Sequence, residues 1–404
     1  MIFLFPSPFT LWRDSLGERL ANLHQSLTVF SLMPRRKNRA RRTRAPRPAA
    51  LANSRRTGAR SRSATAPADI VSIGLNATDT LIRVPCFPAF DSKTKVLSSC
   101  VLPGGQAATA AVACHRWGLH SRYVGKIGDD PAGRLQREQF AREGIETRLI
   151  EVPDCASQLA FIIVDQKTGE RTILWQRDDR LDLRPEELPQ QWIRAARLVH
   201  VDGHPCAPAI AAARWARQAG AAVTADLDNL YPGIEELLEH VDFMISSREF
   251  PGRLLGIADL LESLPEISRR FGCRVAGATL GRHGVLAWDG TQFHYCPAFR
   301  VEAVDTTGAG DIFHAGFAYA LLRGDPLPVI LEFACAAAGL NCTALGARGG
   351  IRSVPEIERL CRKGPRHECL FENNELQAGA ARAAKRNISH ASRDSNISHI
   401  SGKE

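Results

Sequence analysis

From Asp69 to about Gly364 the chain alternates short β-branched runs with helical segments at the spacing of βαβ units, which limits what it can fold into. Asp69–Gly74 reads as a strand, Gln106–Trp117 as a helix, Ser121–Lys126 as a strand and Pro131–Glu143 as a helix. Leu198–Val201, Ala222–Ala225, Phe243–Ser246 and Val275–Leu280 read as further strands, with helices such as Pro208–Gln218 between them. Strands joined by helices pair in parallel, because a helical crossover returns the chain to the same edge. The pattern therefore predicts an α/β fold: a doubly wound, mainly parallel sheet flanked by helices. Thr80–Leu102 and Leu159–Trp175 break the rhythm, the second as two strands around a Gln-Lys-Thr-Gly-Glu turn. Strands without crossover helices fit a parallel sheet poorly. A small separate sheet, from about 80–102 and 159–176, is expected to lie over the strand ends as a lid.

The formal charge of +9 invites a nucleic-acid or membrane partner until it is located along the chain. Pro34–Arg62 holds twelve Lys or Arg and no Asp or Glu, so the rest of the chain sums to about −3. Residues 1–68 are thus expected to form a disordered basic extension. It is a solvated arm, an over-called start in a chain that begins at Met33 or near Asp69, or an arm that binds nucleic acid or a membrane surface. The apolar start, Met1–Trp12, is broken by Pro6 and Pro8 and lacks a positive flank, so it makes a poor signal peptide. Residues 365–404 are polar, repeat Asn-Ile-Ser-His at Asn387 and Asn396, and are expected as a disordered tail. No apolar stretch reaches the roughly 18 to 20 residues that cross a bilayer. The eleven cysteines are scattered singly, without metal-type C-x-x-C spacing, which suits reduced, mostly buried thiols in a cytoplasmic protein.

Chemistry concentrates in Asp305-Thr-Thr-Gly-Ala-Gly-Asp311-Ile-Phe, between a strand-like run and an apolar helical pattern over Phe313–Leu322. Gly308, Ala309 and Gly310 would present N–H groups at a helix N-terminus, where unpaired donors and the helix dipole attract phosphate. A carboxylate at Asp311 would repel that phosphate. It either caps the helix or accepts a proton from an attacking hydroxyl.

This segment is similar to the C-terminal signature of the ribokinase-like (PfkB) carbohydrate kinases. Pro103-Gly-Gly-Gln-Ala-Ala-Thr-Ala-Ala-Val-Ala, running on to Gly125-Lys-Ile-Gly-Asp-Asp-Pro-Ala-Gly133, resembles the N-terminal signature of the same family. The resemblance spans about Asp69–Gly364. It implies an ATP- and Mg²⁺-dependent sugar kinase with Asp311 as catalytic base and Gly308–Gly310 as the anion hole. It further implies that Gly104 and Gly105 let the sugar approach the backbone, that Asn76, Asp79 and Thr109 face it, and that Thr279, Gly281, Gly284 and Thr306 lie along ATP. Glu249, in Ser246-Ser-Arg-Glu249, matches a residue that holds Mg²⁺ through water; the family usually has Asn where Ser246 stands, and often Asn at Thr109.

Within the family the motifs look closest to ketose kinases, including the sulfofructose kinase type, so the expected reaction is phosphorylation of a primary hydroxyl on a ketose. Arg171, Arg177 and Arg180, in or just after the lid, are either an anion site for a charged sugar or a solvated hairpin. The alternatives are a nucleoside or other small-molecule kinase of this fold, for which Trp175 and Phe161 are the only stacking candidates near the lid, and a nucleic-acid-associated protein using the basic arm. A homodimer through the lid is a further expectation.

Overall fold

The computed structural model describes residues 67–168 and 170–398. The basic extension, apart from residues 67 and 68, and residues 399–404 lie outside the described residues. In chain order the first elements are β1 (Ile70–Ile73), β2 (Ala77–Val84), β3 (Ser98–Gly104), α1 (Gln106–Arg116), β4 (Ser121–Gly128), α2 (Pro131–Glu143), β5 (Glu146–Val152), β6 (Leu159–Asp165) and β7 (Arg171–Gln176). There follow α3 (Gln190–Arg194), β8 (Leu198–Val201), α4 (Cys206–Gln218), β9 (Ala222–Leu227), α5 (Ile234–Leu238), β10 (Phe243–Ser247), α6 (Phe250–Leu255), α7 (Leu260–Phe271), β11 (Val275–Thr279), β12 (Val285–Trp288) and β13 (Phe293–Cys296). Four helices complete the chain: α8 (Ala309–Arg323), α9 (Leu327–Asn341), α10 (Val354–Lys363) and α11 (Asn373–Ser398).

Nine strands form the main sheet in the order β13-β12-β11-β10-β9-β8-β1-β4-β5. Pairing is parallel from β5 to β11 and antiparallel only for β11–β12 and β12–β13. Both faces are covered, as continuously apolar strands require. Alternate side chains go to opposite layers: Val71, Ile73, Val199 and Val201 pack with α4 and α7, whereas Ile70, Leu198 and Ile245 pack with α1, α8 and α9. From β1 the chain winds one way to β4 and β5 and later the other way through β8 to β11, so strand order reverses between β1 and β8. Ligands of doubly wound sheets bind outside the carboxyl ends of strands at such a reversal.

The second sheet, β3-β2-β6-β7, is the expected lid. One face is apolar and buried, with Leu81, Ala160, Ile162 and Val164 packed together. On its other face Val101, Phe161 and Leu174 stand in register across the strands, and all three are exposed.

The expectation of a disordered tail is corrected for residues 365–398. Residues 365–371 run along the loop after β13, and α11 packs on α7 and β13. Ala383 is buried and Leu376 and Ala380 pack on the same core. Gly379 lets the helix come so close that a Cβ there would lie 3.1 Å from the Phe293 ring. The buried face, Leu376-Gly379-Ala380-Ala383, has helical spacing but mostly small side chains, so a search for large apolar residues passes over it. No helix among the described residues is long and apolar enough to cross a membrane.

Candidate active site

A cavity of about 1020 Å³ opens at the carboxyl ends of β1, β8, β9, β10 and β11, between the main sheet and the lid. It is built from the first strand outward. Leu75, just after β1, donates its N–H to Asp202 Oδ2 at 2.6 Å, fixing the turn at the point of strand reversal. Asp79, on β2, points into the cavity and is 5% exposed. Burial, and then the charge of Asp311, push its carboxyl up to about 7. Gly105 has φ +93, and a Cβ there would meet Asn76 Cα at 2.3 Å, so this turn into α1 admits only glycine.

Opposite lies the first turn of α8. Asp305 is fully buried and holds the loop from both sides, Oδ1 accepting from Thr307 N at 2.9 Å and Oδ2 from Gly346 N at 2.8 Å. Gly308 (φ +73) caps the helix, pressed against Ala347. Asp311 follows in the first turn, and burial together with the charge of Asp226 raises its carboxyl to about 7. Asp226, at the end of β9, lies 3.1 Å from His314 Nε2, and His314 follows Asp311 by three residues on the same helix face. Burial pushes Asp226 up, but His314 outweighs it and holds the carboxyl below its ordinary value. Asp228 has no such partner, and burial and Asp226 raise it to about 6.

The remaining wall follows β11 and α9. Thr279 Oγ1 donates to Ser246 O at 3.2 Å, and Gly281 begins a tight turn. Gly284 (φ +94) runs so close to β13 that a Cβ would meet Cys296 O at 1.9 Å. Beyond them the wall becomes an apolar slot of Phe299, Val301, Ala338 and Gly339.

Of the residues singled out from the sequence, Asp79, Gly105, Thr279, Gly281, Gly284, Thr306, Gly308, Ala309, Gly310 and Asp311 share this one cavity wall. Others do not. Asn76 turns inward and spends its amide on Tyr123 Oη and Lys126 O, both at 2.8 Å. Gly104 and Thr109 lie behind the wall, where the buried Arg348 donates to Gly104 O at 2.7 Å and to Thr109 Oγ1 at 3.2 Å. The Ala309 N–H is spent on Thr306 O at 3.2 Å, leaving Gly308 and Gly310 of the expected three donors. Ser246 Oγ turns back to Gly277 O at 3.3 Å, and Glu249 sits exposed at the start of α6, outside the wall.

The three arginines also separate. Arg177 touches the cavity but is held by Gln158 Oε1 at 3.0 Å, Leu181 O at 2.7 Å and Asp182 Oδ1 at 3.1 Å. Arg180, away from the wall, pairs with Asp178 at 2.7 Å. Arg171 alone reaches the loop before α8, donating to Thr306 Oγ1, and it forms no ion pair among the described residues. Trp175 lines the cavity, whereas Phe161 faces outward.

Sequence reasoning passed over Asp226, Asp228, His314, Arg348 and Thr307. The first two carried a signal, since Asp226-Leu-Asp228 ends a strand that reads clearly. Thr307 Oγ1 lines the cavity buried and without a partner, a hydroxyl that a ligand can satisfy. Arg348 carried no signal, because its partners lie more than 200 residues away.

Comparison with known proteins gives a consistent outcome. The family model described as pfkB family carbohydrate kinase matches residues 67–353. The chain is 29% identical over 280 residues to the fructokinase of Klebsiella pneumoniae, covering 64% of this chain and 91% of that protein. It is 31% identical over 297 residues to an ATP-dependent ribose-1-phosphate kinase of Halopiger xanaduensis, covering 72% and 95%. The crystal structure of the ribokinase of Thermotoga maritima shares the fold, with a TM-score of 0.63 and 24% identity, covering 73% of this chain and 100% of that one.

Proposed function

Because the chain belongs to the pfkB family of carbohydrate kinases, we propose that it transfers the γ-phosphate of ATP to a primary hydroxyl of a neutral ketose, with Asp311 as the base. The observation that carries this reading is the half-buried Asp311 in the first turn of α8, facing Asp79 across one cavity, with the open backbone of Gly310 beside it. The sugar sits between Asp79 and the Gly105 turn under the lid. Asp311 accepts the hydroxyl proton as that oxygen attacks the γ-phosphorus, and the bond to the bridging oxygen breaks to release ADP. Gly308 and Gly310 direct N–H groups at the phosphate, where donors fixed in a dry site stabilise transferring charge. Arg171, reaching Thr306 from the lid, adds a cation there when the lid closes.

Mg²⁺ suits the donor set. No group of three or more metal-ligating side chains occurs among the described residues, and Mg²⁺ in kinases is held by one or two carboxylates together with substrate phosphates. Asp228 and Asp226 are the carboxylates in the wall that would hold it, in place of the exposed Glu249, and the ion would offset phosphate charge.

A neutral sugar follows from the arginines, since Arg177 and Arg180 are already neutralised by Asp182 and Asp178. The likeness to a fructokinase supports a ketose. The exposed row Val101, Phe161 and Leu174 supports pairing of two lids in a homodimer, which the solution mass of wild type and Leu174→Arg by sedimentation equilibrium would test. The substrate test is coupled ADP release with fructose, fructose 6-phosphate, sulfofructose, ribose and adenosine. Preference for fructose is expected; preference for adenosine overturns the sugar reading, and preference for an anionic ketose overturns its neutrality.

A further inference from the structure

The pfkB match ends at residue 353, yet the segment of residues 365–371 that follows places His367 in the cavity wall. They are stitched to the loop after β13 from both sides: Arg300 N donates to Pro365 O at 2.8 Å, and His367 N to Ala298 O at 2.9 Å. Arg366 lies between, its guanidinium 3.8 Å from the centre of the Phe299 ring, its Nη1 donating to Pro297 O at 3.0 Å, and its charge paired with Glu332. Phe299 is 2% exposed and forms part of the apolar slot, so Arg366 sets the back of that slot. Farther on, Leu370 N donates to Tyr295 Oη at 2.9 Å, Phe371 packs edge-on against Tyr295, and α11 ties the segment to α7 through Arg386 and Glu262 at 2.7 Å. His367 ends up in the cavity wall with Gly281, Arg282 and Gly284.

We propose that residues 365–371 complete the nucleotide site, with Arg366 positioning Phe299 and His367 hydrogen-bonding the nucleoside part of ATP rather than its phosphates. The inference rests on the reading above, that this end of the cavity takes ATP. An apolar slot with a few placed polar groups suits a flat base and its sugar, while the phosphates belong at the backbone of Gly308 and Gly310. The imidazole has the character such a contact needs. Burial and then the cations Arg300 and Arg282 lower its pKa below the ordinary imidazole value, which favours the neutral ring that both donates and accepts.

The test uses the full chain with His367→Ala and His367→Gln. Loss of one hydrogen bond corresponds to roughly a fivefold to tenfold weakening. KM for ATP and the Kd for ADP are expected to rise by that factor in H367A, with kcat and the sugar KM unchanged and H367Q close to wild type. Inhibition by inorganic tripolyphosphate, which lacks a nucleoside, should be the same in all three proteins. Unshifted ADP binding in folded H367A overturns this inference alone, as does an equal loss of tripolyphosphate binding. A wild-type chain that binds no ADP overturns the kinase reading and this inference with it.

Discussion

Gly308 and Gly310 sit two residues apart at the start of α8, and the structure gives them opposite reasons to be glycine. At Gly308 φ is +73, and a Cβ would lie 2.5 Å from Ala347 Cα and 2.6 Å from Ala347 O. Gly308→Ala therefore combines a left-handed conformation, which costs an L-residue about 1–2 kcal/mol, with a backbone clash of the order of overpacking, about 1–3 kcal/mol. A loss of about 2–5 kcal/mol should lower Tm by several degrees. At Gly310 a Cβ would meet nothing within 4 Å and the backbone is helical, so alanine is free to improve the helix by about 0.5–1 kcal/mol. That methyl would point into the cavity where the phosphate is proposed to meet the backbone. Gly310→Ala is thus expected to unfold at or slightly above the wild-type temperature while kcat/KM falls about a hundredfold or more, as a misplaced reacting group costs. Thermal unfolding and steady-state kinetics on the two variants decide the matter. If G310A keeps more than about a tenth of wild-type kcat/KM, a loss below roughly 1.4 kcal/mol, the phosphate does not sit on this turn.

Asp311→Asn keeps the shape and removes the proton acceptor, so kcat should fall by roughly a thousandfold or more while ADP still binds; near-normal turnover would leave Asp311 only a structural role. The free enzyme's Asp311 titrates at about 7 and works as a base only when ionised. Accordingly kcat/KM should rise about tenfold per pH unit up to roughly 7 and level off above, and a profile flat from pH 5.5 to 8 would contradict the assignment. Asp228→Asn should raise the Mg²⁺ needed for half-maximal rate several-fold while Glu249→Ala changes it little, and the reverse order in Mg²⁺ titrations would restore the metal role to Glu249.

The fold was readable because parallel strands buried on both faces leave unbroken apolar runs. Leu198–Val201 and the helix Pro131–Glu143 have the same bounds in the sequence reading and the structure. The lid was readable by the opposite sign, strands with no helix between them. The turns at Gly105, Gly284 and Gly308 were legible as glycine positions, and the positive φ of each shows why little else fits there. Side-chain roles were harder. Asn76 and Thr109 sit at the expected places in the chain, but their partners, Tyr123 and Arg348, come from strand and loop packing that local spacing does not encode. Helix α11 escaped notice because close approach through Gly379 and Ala383, rather than bulk, makes its contact.

The two ends of the site come from parts of the chain about 200 residues apart, and the loop of residues 344–350 makes them one structure. Its Gly346 N–H is taken by Asp305, which fixes the turn into α8, and its Ala347 packs against Gly308. The next residue, Arg348, reaches the other way to Gly104 O and Thr109 Oγ1, behind the Gly105 turn. Burial lowers the guanidinium to about 10, yet at neutral pH it stays charged, and Asp79 and Asp311 are the carboxylates whose charges favour it most in and around the cavity. The charge of this buried cation, held by neutral oxygens, favours the ionised form of both acids, one on each side of the cavity. The Gly105 turn and the turn into α8 therefore cannot shift independently without leaving that charge unsatisfied, so under the proposed mechanism the separation between hydroxyl and phosphate, on which in-line transfer depends, would rest on the packing of one arginine.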